Sequence, residues 1–310
     1  MKINLGVVIY GNTEQYAVNL QQIDFWWKEL VGFNLSTYDF NQDGAIKLLD
    51  DWQAKKIDLV VKNAYGRANE ARIESWLELN QIPFIGSNSS STLIGTNKYL
   101  SKQLFSAANI KTPKFLFVNR LLWLERKEEC LEEIQKSVGF PFMLKECGGT
   151  DSRGIYKIKS KDDFRERAEV LLVDGLNFIA EEYISTKLEI TCLVGGVKDL
   201  VVYDPVGCEY LGTPEEAAKK KDKLDVAYKM PPNIGKKNVK LIKDWSLLAH
   251  QVLGCSGFSR ADFLYNGKNV YIIEVDVHPG FRANSSSTLS IEQAGKDLNS
   301  FFVDLCKEIL

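Results

Sequence analysis

The chain has 310 residues, 45% apolar and 26% charged, which fits a soluble globular protein of about two domains. Its 39 Lys and Arg nearly cancel 41 Asp and Glu, leaving a net charge of −2, which excludes nucleic-acid binding through bulk positive charge. With only two histidines, His250 and His278, a histidine-rich metal cluster is excluded and a nucleophilic triad has at most two candidate bases. Six cysteines, at 130, 147, 192, 208, 255 and 306, are spaced for neither a zinc knuckle nor a CxxC redox motif. The start of the chain lacks a signal-peptide core, and no run of 18 apolar residues occurs. The expectation is a cytoplasmic protein with no membrane association.

In chain order, Ile3–Tyr10 reads as a buried parallel strand ending at Gly11-Asn12, with a helix from about Glu14 to Leu30. A strand near 33–38, a helix near 46–55, a strand at 57–61, a helix at 71–79 and a strand at 82–85 follow. This alternation predicts a doubly wound parallel α/β domain over residues 1–94. Ser87–Ser91 reads as a polar loop at a strand's carboxyl end. Residues 97–108 read as a helix carrying Lys98 and Lys102 on one face by their i, i+4 spacing. A strand at 140–145 and another at 155–158 flank a glycine-rich loop, before a helix at 164–173 and a strand at 177–183. The last third carries strands near 188–194 and 199–203, a Lys-rich loop at 213–237, a helix at 239–253, and a strand pair at 258–265 and 269–275.

Two features carry chemistry. The loop 148–154 contains Gly148, Gly149 and Gly154, whose backbone can approach phosphate oxygens closely. It opens into a strand rather than a helix and lacks GxxxxGK[ST] and GxGxxG, so it reads as a flap between antiparallel strands, with Lys145 just before it. In the strand pair, Arg260 and Asp262 share one face, as do Glu274 and Asp276. Pairing these faces predicts a cluster of three carboxylates beside Arg260, suited to Mg²⁺ completed by phosphates; a solvent-facing polar edge is the equal alternative. His278 reads as a substrate ligand or a structural residue, and His250 as packed on its helix face.

The residues Trp76–Ser87, Thr96-Asn97-Lys98, Gly139–Lys145, Glu181–Ile184 with Glu189, Gly254–Phe263 and Glu274–Gly280, in this order over roughly 75–300, together resemble the ATP-grasp carboxylate–amine ligases. The resemblance is strongest to the D-alanine–D-alanine ligase branch. It implies an N-terminal α/β domain (1–94) followed by a two-lobed α+β ATP-grasp fold, with a central lobe at 95–185 and a C-terminal lobe at 186–310. It further implies that Lys98 and Lys145 contact ATP phosphates and that the flap with Gly148, Gly149 and Ser152 closes over them. Glu181, Tyr183 and Ile184 would lie along adenine, and Glu189 at the ribose. Asp262, Glu274 and Asp276 would hold Mg²⁺ (or Mn²⁺), with aspartate where the family usually has asparagine at 276. Arg260 and the backbone of Gly280 would stabilise a tetrahedral intermediate.

The same resemblance implies ATP, Mg²⁺ and small-molecule substrates, an amino-acid carboxylate and an amine, and a homodimer as the family's common assembly. The family's His-Gly…Glu-Asp-Gly run is replaced here by residues 62–71, and its Glu-Gly-Ser-Ser flap by Gly149-Thr150-Asp151-Ser152. Glu14, Asp151, Arg282 and Ser285 are therefore the candidate substrate contacts. ATP use and carboxylate activation are expected to persist with a rebuilt amino-acid pocket, so two D-alanines are not the expected substrates. D-alanine–D-alanine ligation proper, an intramolecular amide-forming reaction and an inactive nucleotide-binding protein stand as alternatives.

Overall fold

The computed structural model describes residues 2–10, 13–64, 70–148, 154–171, 177–186, 188–210 and 226–310. Strands β1 (Ile3–Tyr10), β2 (Phe33–Asp39), β3 (Leu59–Ala64) and β4 (Phe84–Ile85) form a parallel sheet of order β2-β1-β3-β4. Leu5, Val7 and Val8 on β1 and Val60 and Val61 on β3 are fully buried, as parallel strands covered on both faces require. Helices α1 (Thr13–Glu29), α2 (Gln42–Gln53) and α3 (Glu70–Leu79) make the connections. The serine stretch expected as a loop instead starts α4 (Ser89–Thr96), because Asn88 caps it by accepting from Ser91 N at 2.8 Å.

A second sheet, of order β5-β8-β6-β7, is antiparallel: β5 (Phe115–Val118), β6 (Phe142–Glu146), β7 (Ile155–Ile158) and β8 (Phe178–Glu182). It packs on α6 (Arg120–Glu125), α7 (Lys127–Ser137) and α8 (Lys161–Leu171) through Trp123, Phe142 and Phe164. Helix α5 (Lys98–Ala107) leads into it, started by Asn97, which accepts from Tyr99 N and Leu100 N.

The third sheet runs β12-β11-β9-β13-β14, with β10 (Val201–Val202) also on β9. Its strands are β9 (Leu188–Gly196), β11 (Val206–Tyr210), β12 (Val226–Lys229), β13 (Gly257–Tyr265) and β14 (Val270–Asp276). Helices α9 (Lys236–Val252), α10 (Ser286–Gln293) and α11 (Leu298–Ile309) cover it. The Lys-rich segment expected as one loop at 213–237 is therefore part strand at its end; residues 211–225, with Lys219–Lys221 and Lys223, lie outside the described residues.

One apolar core joins the first sheet to the third. Trp26, Phe258, Phe281, Phe301 and Phe302 pack together, with the Phe258 and Phe281 rings 5.0 Å apart. A Cβ on Gly95 would lie 2.4 Å from Val277 Cγ1, so only glycine lets α4 pack this closely on the residues after β14. The carboxyl ends of β1 and β3 thus face the turn after β14. Among the described residues no helix is long and apolar enough to cross a membrane.

Candidate active site

Strands β13 and β14 pair antiparallel with Arg260 opposite Asp276 and Asp262 opposite Glu274, which gathers the four side chains at one sheet edge. Arg260 holds Asp262 through two parallel bonds of 2.7 Å, Nε to Oδ1 and Nη2 to Oδ2, and lies 3.5 Å from Asp276 Oδ2. Glu274 Oε2 is 3.4 Å from Lys98 Nζ. Burial pushes the Asp262 carboxyl up to about 7, with Glu274 and Asp276 adding to the rise and Arg260 opposing it. Glu274, also penalised by burial, is nevertheless held below the usual range by Lys98, Lys145 and Arg260.

The three carboxylates do not converge as expected: among the described residues no three acidic, Cys or His side chains are placed to hold a metal ion between them. Each is drawn to a cation, Asp262 and Asp276 to Arg260 and Glu274 to Lys98. The donor set still fits Mg²⁺. It offers hard oxygens only, on side chains that the pairing of β13 with β14 sets beside one another, as a divalent cation completed by phosphates would require.

Lys145 on β6 donates from Nζ to Glu181 Oε1 on β8 at 2.5 Å. On the other carboxylate oxygen sits Lys102 Nζ, at 2.6 Å, which also donates to Thr112 Oγ1 at 2.8 Å. The Glu181 carboxylate is thus the shared counter-charge of two buried ammonium groups, which require one. Burial pushes Lys102 down to about 8 against the pull of Glu181. Burial would raise Glu181, yet Lys102 and Lys145 hold it low. Lys102 was seen in the sequence only as a neighbour of Lys98; its signal was an i, i+4 lysine on the face of a helix that also buries Phe105.

Tyr183 is half-buried with Lys157 Nζ 3.8 Å from its ring centre, Ile184 is buried, and Glu189 is half-buried on β9 opposite Leu264 and Cys208. Gly148 is half-buried with open space around it, at the mouth of the flap between the paired strands β6 and β7. Gly149, Asp151 and Ser152 lie outside the described residues, as does the side chain of Glu14 on α1.

After β14 the chain turns through His278-Pro279-Gly280. Ser285, expected at substrate, caps α10: its hydroxyl accepts from Thr288 N at 3.3 Å and donates to Gly280 O at 3.0 Å. Arg282 is half-buried beside this turn, and its carbonyl accepts from Thr288 Oγ1. Trp26 Nε1 donates to Phe281 O at 3.0 Å. His278 is buried, with Nε2 2.9 Å from Glu74 Oε1 and 3.3 Å from Thr92 Oγ1. Neither Glu74 nor its partner Lys62 was singled out from the sequence. His250 packs in its helix as expected, Nδ1 2.8 Å from Ser259 Oγ, and burial lowers it to about 4, so it is neutral.

Residues 104–307 match the family model described as D-ala D-ala ligase C-terminus. The D-alanine–D-alanine ligase of Geobacillus kaustophilus is 27% identical over 77% of this chain and 65% of its own length, so about a third of that relative has no counterpart in the alignment. The crystal structure of a D-alanine–D-alanine ligase from Bacillus anthracis superposes with a TM-score of 0.82 at 21% identity, covering 99% of this chain and 97% of that one. The VanG D-Ala:D-Ser ligase of Enterococcus faecalis superposes with a TM-score of 0.81 at 22% identity over the whole of both chains. The three sheets are those of an N-terminal α/β domain and an ATP-grasp fold, and the chain belongs to the D-alanine–D-alanine ligase family.

Proposed function

We propose that the protein is an ATP-dependent ligase that activates an amino-acid carboxylate as an acyl phosphate and joins it to the amine of a second amino acid, releasing ADP and phosphate. The observation that carries this reading is the bridge from Lys98, at the start of α5, to Glu274 on the third sheet, with Arg260 forked on Asp262 beside it. It sets cations of the kind that bind phosphate beside carboxylates of the kind that bind Mg²⁺. Phosphoryl transfer to a carboxylate needs little covalent help from protein; it needs neutralised charge and alignment.

In this reading Lys98 and Lys145 hold the phosphates, and Asp262, Glu274 and Asp276 hold Mg²⁺, which would supply neutralisation of the phosphate charge. Arg260 and the backbone of Gly280 face the oxyanion of the tetrahedral intermediate, and residues 148–154 exclude the water that would hydrolyse an acyl phosphate. Tyr183, Ile184 and Glu189 take the adenosine.

For the substrates, the curated relatives and solved structures support D-alanine with D-alanine or D-serine at least as well as the rebuilt pocket expected from residues 62–71. Residues 62–71, which replace the family's His-Gly…Glu-Asp-Gly run, favour other amino-acid substrates as a second reading. Purified protein with ATP, Mg²⁺ and paired D-alanine, D-serine and L-amino acids, scored by phosphate release and product mass, decides between them. No phosphate release with any pair overturns the function.

A further inference from the structure

Lys62 on β3 and Glu74 on α3 form an ion pair that is almost wholly buried, with 6% and 1% of the residues exposed. Water reaches neither group freely, so the pair costs desolvation that its mutual attraction offsets only in part. Replacing such a pair by neutral groups is often harmless to stability, so stability alone does not account for it. The same Glu74 oxygen that Lys62 approaches also receives His278, from the other side of the junction between the first and third sheets, at 2.9 Å.

A carboxylate kept charged by a buried ammonium accepts hydrogen bonds and donates none. His278 must then present a proton on Nε2, which sets both its tautomer and the direction of its ring. The backbone N–H of His278 donates to Asp276 Oδ1 at 2.9 Å, while the other oxygen of Asp276 lies 3.5 Å from Arg260. Two residues further on is Gly280, whose carbonyl accepts from Ser285, and Trp26 holds the carbonyl of Phe281. The turn 276–281 is thus anchored at its two ends by β14 and Trp26 and in its middle by Glu74.

We propose that Glu74 is a positioning residue of the ligase: kept charged by Lys62, it fixes His278 and through it the Asp276–Gly280 turn at the reacting centre. The inference rests on the functional reading above. It makes a helix of the N-terminal sheet a determinant of geometry on the catalytic edge, through the chain Lys62–Glu74–His278–Asp276.

The chain's two histidines make the test direct, since the imidazole resonances of His250 and His278 can be separated by nuclear magnetic resonance and assigned with His278→Gln. The double variant Lys62→Met/Glu74→Leu removes both buried charges together with the oxygen that accepts from His278 Nε2. The proposal expects it to fold with a thermal midpoint near that of the parent protein and to lose the hydrogen-bonded Nε2 proton signal of His278. It also expects kcat for ADP release to fall about 10- to 100-fold with KM for ATP unchanged, as when an outer partner of a site group is removed. A double variant with parental kcat, or with an unaltered His278 signal, overturns it. Should that variant not fold, His278→Gln decides: a lower kcat at constant KM for ATP supports the proposal and a parental kcat overturns it. A parent protein that releases no ADP sinks the functional reading; a parent that turns over beside a double variant equal to it sinks this inference alone.

Discussion

Glu181 binds the Nζ of Lys145 at 2.5 Å and so holds this lysine at the base of the flap. Its second oxygen is occupied by Lys102, which is fully buried and bonded onward to Thr112, itself bonded to Ile272 O on β14. Lys145 is therefore tied through one carboxylate to the third sheet.

Lys145→Ala removes the cation but leaves Glu181 paired with Lys102. A charge-assisted hydrogen bond to phosphate is worth about 1.5–3 kcal/mol, so ATP affinity should fall roughly 10- to 100-fold. Thermal stabilisation by ATP with Mg²⁺ measures this; stabilisation equal to that of the parent protein rules out the assigned role.

Glu181→Gln strips both lysines of their counter-charge, and breaking a buried pair in this way costs about 3–5 kcal/mol. Denaturant unfolding should show a midpoint far below that of the parent. A variant of parental stability would mean that Lys102 and Lys145 do not depend on Glu181.

Lys102 makes stability depend on alkaline pH. Its value is lowered by burial, to about 8 from the 10.5 of an unfolded lysine, so between these values the unfolded chain binds more protons. The penalty of burying its charge is present in full below pH 8 and is relieved as pH rises from 8 toward 10.5. Against Lys102→Met, the parent protein should gain stability over that window. Parallel stability profiles of the two proteins would contradict the burial of a charged Lys102.

Arg260→Lys keeps a positive charge and loses the planar fork on Asp262. If the guanidinium faces the oxyanion, kcat should fall by about 10²–10³-fold while ATP still stabilises the protein. Steady-state ADP release is the measurement, and a kcat within twofold of the parent's (about 0.4 kcal/mol) would remove Arg260 from the chemistry.

Glu308 on α11 accepts from the amides of Val197, Lys198 and Asp199 at 2.9, 2.6 and 3.1 Å, closing the turn between β9 and β10. Burial acts to raise its carboxyl, yet these three amides hold it below the usual value. The stability it contributes is present above the unfolded glutamate value and is lost as pH falls through the lower folded value. Glu308→Gln should cost about 1 kcal/mol at neutral pH, and the cost should shrink as pH falls below the usual glutamate value. A cost that does not change with pH would show that the charge is irrelevant.

Much of the fold was legible along the chain. The alternation of apolar runs and helical periods over residues 3–85 reports the parallel sheet directly, because the central strands β1 and β3 are buried and must be apolar, while β2 at the edge leaves most of its residues exposed. The i, i+2 spacing of Arg260 with Asp262 and of Glu274 with Asp276 was enough to place them on one edge, since strand pairing makes such spacing spatial. Less visible were α4, whose serines read as a loop until Asn88 is seen to cap it, and α10, where Ser285 reads as a ligand and acts as a cap.

What the sequence by itself determined is the order of elements and the grouping of Arg260, Asp262, Glu274 and Asp276, because both follow from local periodicity and strand spacing. Only the tertiary structure decided how those charges are matched. Glu181 lies 36 and 79 residues from Lys145 and Lys102, and 204 residues separate Glu74 from His278. Pairings at such separations are selected by which groups burial deprives of water, and burial is a property of the packed sheets rather than of any segment. Several of these matched pairs are buried where an unmatched charge would not be tolerated.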